Sequence, residues 1–154
     1  MIANQNVLTE IRSDWKSVRR KQARVQRYMF IGGGHILPVA LADFAYNLVL
    51  IYAYSVLHDI LRQLLLEGRF LAPRNKSSLG QLMQASKNTL PWVDFALVDE
   101  GRGRRNKVAH KDLLIPRAET WKYIDAIEKE LVKWGIIPDQ GTDYSVPWGV
   151  RGAP

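Results

Sequence analysis

The residues of this chain best suited to chemistry lie together in Arg105-Asn106-Lys107-Val108-Ala109-His110. An imidazole exchanges protons near neutral pH. A guanidinium presents a planar fork that matches two phosphate oxygens. An amide between them can hold either the ring or a phosphate. On a helix, Asn106 and His110 are four residues apart and share a face, while Arg105 points off at an angle with the reach to return. Arg102, Arg104, Lys107 and Lys111 surround them with positive charge. This set suits cleavage of a phosphodiester without a metal. RNA carries its own nucleophile, a 2′-hydroxyl beside the phosphorus, so the enzyme need only move protons and stabilise charge. Arg105 and His110 are therefore the candidate catalytic pair, with Asn106 positioning them.

One histidine cannot be base and acid at once. A two-fold dimer with this segment at its axis supplies two histidines and two arginines, so a homodimer is expected. On residue chemistry alone the stretch reads equally as a basic helix end with an incidental histidine. DNA also fits the charge as a binding partner.

The elements that must position this segment are helical. From Asn6 to Phe30, Leu8, Ile11, Trp15, Val18, Gln22, Val25 and Met29 alternate spacings of three and four, one apolar stripe on a long helix. The rest of that helix is basic, with Arg12, Lys16, Arg19, Arg20, Lys21, Arg24 and Arg27 against Glu10 and Asp14. That surface reads either as a solvated face or as a track for a polyanion. Gly32-Gly33-Gly34 breaks the helix and lacks the lysine and hydroxyl of a phosphate loop.

A second long helix runs from Pro38 to about Glu67, stopped by Gly68. Leu41, Phe44, Leu48, Ile51, Leu57, Ile60, Leu61, Leu64 and Leu65 are its expected buried side. Asp43, Asn47, Tyr54, His58 and Arg62 form a polar row on it, which reads as a hydrogen-bonded core network, a subunit interface or a site wall, the first two being expected. Ser78 can cap a short third helix. The segment after Thr89-Leu90-Pro91 is helical but weakened by Gly101 and Gly103, where a kink or restart is expected before His110. Ile115-Pro116 opens the last helix, whose stripe is Trp121, Ile124, Ile127, Leu131 and Trp134, and Gly135 closes it.

No alternating strands and no internal repeat occur. The expected fold is an all-α bundle of about five helices, two long ones first, over residues 1–135, followed by an irregular tail over 136–154 carrying Tyr144 and Trp148. The length of 154 residues suits one such domain. With 47% hydrophobic and 24% charged residues the chain is globular rather than disordered. It has no cysteine, which excludes disulfides and thiolate metal sites and fits a cytoplasmic setting. No metal or cofactor is expected. The start shows no signal-peptide pattern. The apolar run Ile36 to Leu66 is long enough to span a bilayer, but Asp43, His58, Asp59 and Arg62 interrupt it, so a buried central helix is expected and no membrane. The formal charge of +7 favours an anionic partner.

With these residues in place, the chain resembles the HEPN superfamily, whose motif is an arginine, a polar residue and a spacer ending in histidine. Arg105, Asn106 and His110 match it in type and spacing. Glu100 and Arg104 resemble an acidic residue upstream and a basic residue just before the motif arginine in some members. The resemblance covers mainly Leu79 to Ile137. It implies a helical bundle that often dimerises, with the motif in a composite cleft, and metal-independent endoribonuclease activity leaving a cyclic phosphate. It also implies a toxin, phage-defence or RNA-processing role, with an antitoxin or defence protein as a possible partner. In bacterial toxin members an antitoxin modifies a tyrosine two residues after the histidine. Asp112 stands there in this chain, which separates cleavage from that mode of control. Other members are non-catalytic, so the alternative is a helical module that binds RNA or a protein.

Overall fold

The computed structural model describes residues 2–31, 39–73, 77–111 and 113–139, with side chains described throughout except at 27–31, 39–42 and 111. The glycine run, Asp112 and the tail beyond Asp139, with Tyr144 and Trp148, lie outside the described residues, as do the side chains of Arg27, Met29, Leu41 and Lys111. Among the described residues five helices follow one another: α1 Gln5–Ile31, α2 Val39–Leu66, α3 Leu79–Ser86, α4 Phe95–Lys111 and α5 Arg117–Lys133. Among the described residues there is no strand. The fold is an all-α bundle.

The central element is α2, which packs against α1, α3, α4 and α5. Asp43–Leu66 is also the one stretch among the described residues long and apolar enough to cross a membrane by length and composition. In the bundle it supplies much of the core, with Leu50, Ala53, Tyr54, Leu57, Ile60 and Leu61 sealed from solvent. The α1 stripe meets it through Leu8, Ile11, Trp15 and Val18, and α5 through Ile124, Ile127 and Leu131. Among the described residues α1 makes no backbone approach to α4, whose neighbours are α2, α3 and α5. The two helices therefore sit apart, joined through α2.

The polar row of α2 is a set of separate ties rather than one network. Asn47 grips Ile115 twice, giving its Nδ2 to the carbonyl at 2.9 Å and accepting the amide on Oδ1 at 3.1 Å. Tyr54 donates to the Val98 carbonyl at 2.8 Å. His58 Nε2 lies 2.6 Å from the Ser77 carbonyl, a structural histidine. Each contact fixes a segment, and for the buried Asn47 and Tyr54 it also makes burial of a polar group tolerable.

Both long-range stops are where the sequence puts them. Gly68 and Gly135 have φ of 69° and 67°. In each case the following amide reaches back five residues, Arg69 to Leu64 and Ile136 to Leu131, both at 2.9 Å. A left-handed glycine closing the last carbonyls in this way ends a helix cleanly.

Three expectations change. Arg19 is not on a solvated face. It is buried beneath Glu128 and Asp125, with its Nη1 2.6 Å from Asp125 Oδ1, and Trp15 Nε1 donates to the same Glu128 at 2.8 Å. Burial opposes its charge, but these two carboxylates outweigh that and raise its pKa. Phe44 and Leu48, by contrast, are half-exposed rather than core. And α4 runs unbroken through Gly101 and Gly103.

Candidate functional site

The site is carried by α4, so its first half sets where the second half can be. Glu130 of α5 is fully buried and accepts the amides of Val93 at 2.6 Å and Asp94 at 2.7 Å. Burial pushes its carboxyl up, although the two amides favour its charged form. Asp94 then caps the helix, accepting the Leu97 amide on Oδ1 at 3.0 Å.

Gly101 explains the missing kink. A Cβ there would collide with the Tyr54 hydroxyl and stand 2.6 and 2.7 Å from Tyr123 Cγ and Cδ1. At this glycine α4 packs closely on Tyr54 of α2 and Tyr123 of α5, and that packing outweighs its low helix propensity. Gly103 has open space around it.

Around this contact the charged residues pair off. Tyr123 donates to Glu100 Oε1 at 2.8 Å. Burial, and then this carboxylate, push the Tyr123 phenol up to about 12. Arg104 Nε lies 4.0 Å from Glu119 Oε2 on the same side. Arg102 Nε bonds Asp99 Oδ1 at 2.7 Å and its guanidinium covers Gly80 of α3. Glu100 is thus held to α5, and Arg102 is drawn toward α3.

Past Arg104 the helix is much freer. Arg105 Nη1 donates to Asn106 Oδ1 at 3.1 Å, and Arg105 Nε is buried with no partner among the described residues. Successive residues turn by about 100°, so Arg105 and His110 stand about 140° apart around the axis while Asn106 and His110 are separated by about 40°. Arg105 and Asn106 are brought together. His110 is exposed and makes no hydrogen bond among the described residues, nor does exposed Lys107.

Beside the His110 end lies an apolar groove of about 430 Å³ between α2 and α4, lined by Phe44, Leu48, Ile51, Val108, Ala109 and Leu114. Its floor includes Asn47, the side chain that clamps Ile115. Sequence periodicity assigned Phe44, Leu48 and Ile51 to the core and gave Leu114 no role. The signal available was Leu113-Leu114 directly after the motif, two apolar residues between helix ends.

Among the described residues no three His, Asp or Glu side chains converge as a metal would require. Searches against protein-family models, curated proteins and solved structures find no match to this chain.

Proposed function

We propose that this protein is a metal-independent endoribonuclease that works as a dimer. The observation that carries the reading is the Arg105–Asn106 pair and, on the same helix, a His110 with no hydrogen bond among the described residues, beside an apolar groove. Phe44, Leu48 and Leu114 expose 50%, 49% and 37% of their surface there, enough for a second copy to cover. Two-fold packing on this groove brings two copies of His110 toward one axis. One imidazole takes the 2′-hydroxyl proton as that oxygen bonds to phosphorus. The bond from phosphorus to the 5′-oxygen breaks, and the other imidazole, protonated, gives that oxygen its proton. The products are a cyclic phosphate and a 5′-hydroxyl. Arg105 stabilises the charged phosphorane, and Asn106 holds the guanidinium in place. Lys107 and Lys111 attract the substrate.

Within this reading Glu100 positions α4 through Tyr123 rather than touching RNA. Arg102 and Arg104 contribute charge while bound to Asp99 and Glu119. A toxin or defence component of the cytoplasm, held in check by a protein partner, is the corresponding biological role. The second reading, a non-catalytic module binding RNA or a protein, is favoured by how many of these charges are already engaged within the chain.

The deciding test is incubation with RNA in excess chelator, with the ends of the fragments identified. Cyclic phosphate ends, lost in His110→Ala while dimer and melting temperature persist, support the enzyme. Leu48→Glu should yield a folded monomer that does not cut. RNA bound but left intact by the wild-type dimer favours the module.

A further inference from the structure

Among the described side chains, the basic face of α1 resolves into two groups. Arg12, Arg19 and Lys21 have uses inside the fold. Arg12 Nε donates to the Ile136 carbonyl at 2.7 Å, Arg19 is buried on Glu128 and Asp125, and Lys21 Nζ sits 4.0 Å from the centre of the Tyr52 ring. Lys16, Arg20 and Arg24 remain exposed, with no ion pair among the described residues. They follow each other at four-residue intervals, about 6 Å of rise and about 40° of turn per step. Like charges at that spacing repel and weaken a helix. The row therefore adds nothing to the stability of the helix.

We propose that Lys16, Arg20 and Arg24 form a docking ridge for the phosphate backbone of single-stranded RNA, distinct from the motif on α4. The cations are spaced on the order of successive phosphates along a strand. Neutralising acids are absent from the row. Asp125 and Glu128, which face this side of α1, are already bound by Arg19, and Asp14 accepts from Tyr52 of α2 at 3.5 Å. A lipid surface fits less well. A helix that lies on a membrane needs a free apolar face, and Leu8, Ile11, Trp15 and Val18 are buried in the core. The choice of RNA among polyanions rests on the proposed function, while the ridge itself rests on charge and exposure. Because α1 and α4 have no backbone approach, the ridge holds a length of strand that the motif does not touch. Long RNA therefore gains from it and a dinucleotide does not.

The test measures binding of a labelled single-stranded RNA to the His110→Ala protein over a series of salt concentrations. A triple Lys16→Gln, Arg20→Gln, Arg24→Gln exchange should weaken binding at least tenfold at low salt. It should also reduce the slope of log affinity against log salt by about 2, since each neutralised phosphate on a single strand contributes about 0.7. The melting temperature should hold or rise as repulsion is removed. Unchanged affinity and slope overturn the ridge, as does equal loss when a dinucleotide replaces the strand. Binding of the parent protein to anionic phosphatidylserine vesicles in preference to RNA overturns the choice of ligand. If the wild-type protein cuts no RNA, the proposed function fails, and the ridge still stands or falls on the slope.

Discussion

The two halves of α4 are treated differently by the rest of the molecule. From Phe95 to Gly103 the helix is fastened by Glu130, capped by Asp94, gripped at Gly101 by Tyr54 and Tyr123, and tied at Glu100 and Arg102. From Arg104 to His110 the ties thin out to one weak approach to Glu119, one bond between neighbours, and a histidine with no partner among the described residues. A rigid first half aims the second, and the second keeps its polar groups free for something outside the chain. A site needs both properties, because reacting groups must be held still yet left unsatisfied. Substitutions in the first half should therefore change stability, and substitutions in the second should change activity.

The largest effect should come from Gly101→Ala. Alanine favours a helix by about 1 kcal/mol over glycine. Overpacking against two buried tyrosines costs about 3 kcal/mol, leaving a net loss of about 2 kcal/mol in urea denaturation. Gly103→Ala, two residues on and facing open space, should gain about 1 kcal/mol from propensity alone. Equal effects at the two glycines would mean that Tyr54 and Tyr123 do not grip the first half at Gly101. Next is Glu130→Ala, which leaves the amides of Val93 and Asp94 without their carboxylate. Both residues are exposed, so water replaces part of what is lost and the cost should be about 1.5 kcal/mol. Hydrogen exchange should locate the loosening at the start of α4.

The same division marks what the sequence could and could not reveal. The helices were legible because their signals are local: stripes at three and four, glycine after the last turn, Asn106 and His110 one turn apart. What escaped was set by partners far along the chain. Gly101 looks like a breaker within its own helix, and only Tyr54 and Tyr123 make it a contact. Arg19 sits among basic neighbours, and its carboxylates lie 106 and 109 positions away. Phe44 and Leu48 obey the periodicity of a buried stripe, but periodicity does not say where the helix opposite them stops. α4 ends at Lys111, so part of the stripe is left open. The motif could be read as a set of residue types, whereas the separation of Arg105 from His110 around the axis follows only from an unbroken helix.

Tyr123→Phe tests the fastening with a pH sign. The folded protein holds this phenol neutral, with its pKa raised from the ordinary 10.0 to about 12 by burial first and the Glu100 hydrogen bond second. In that window the folded state binds more protons than the unfolded one, so stability falls as pH rises. The contribution is fully present below pH 10 and lost through about pH 12. Phenylalanine should cost about 1 kcal/mol at neutral pH, the worth of one hydrogen bond, and should flatten the alkaline decline. A decline of the same steepness in the variant would mean that the tie between Glu100 and α5 is not what titrates.

The smallest change in stability should come from the free half. His110→Ala removes an exposed side chain with no hydrogen bond among the described residues, so the unfolding free energy should stay within about 0.5 kcal/mol of wild type. The same variant is expected to abolish cutting. The pairing of a silent melting curve with lost activity is what distinguishes a reactive residue from a structural one. A drop of more than about 1 kcal/mol would place His110 among surface substitutions with a structural role. The helix would then be fastened along its whole length, and the contrast between its halves would disappear.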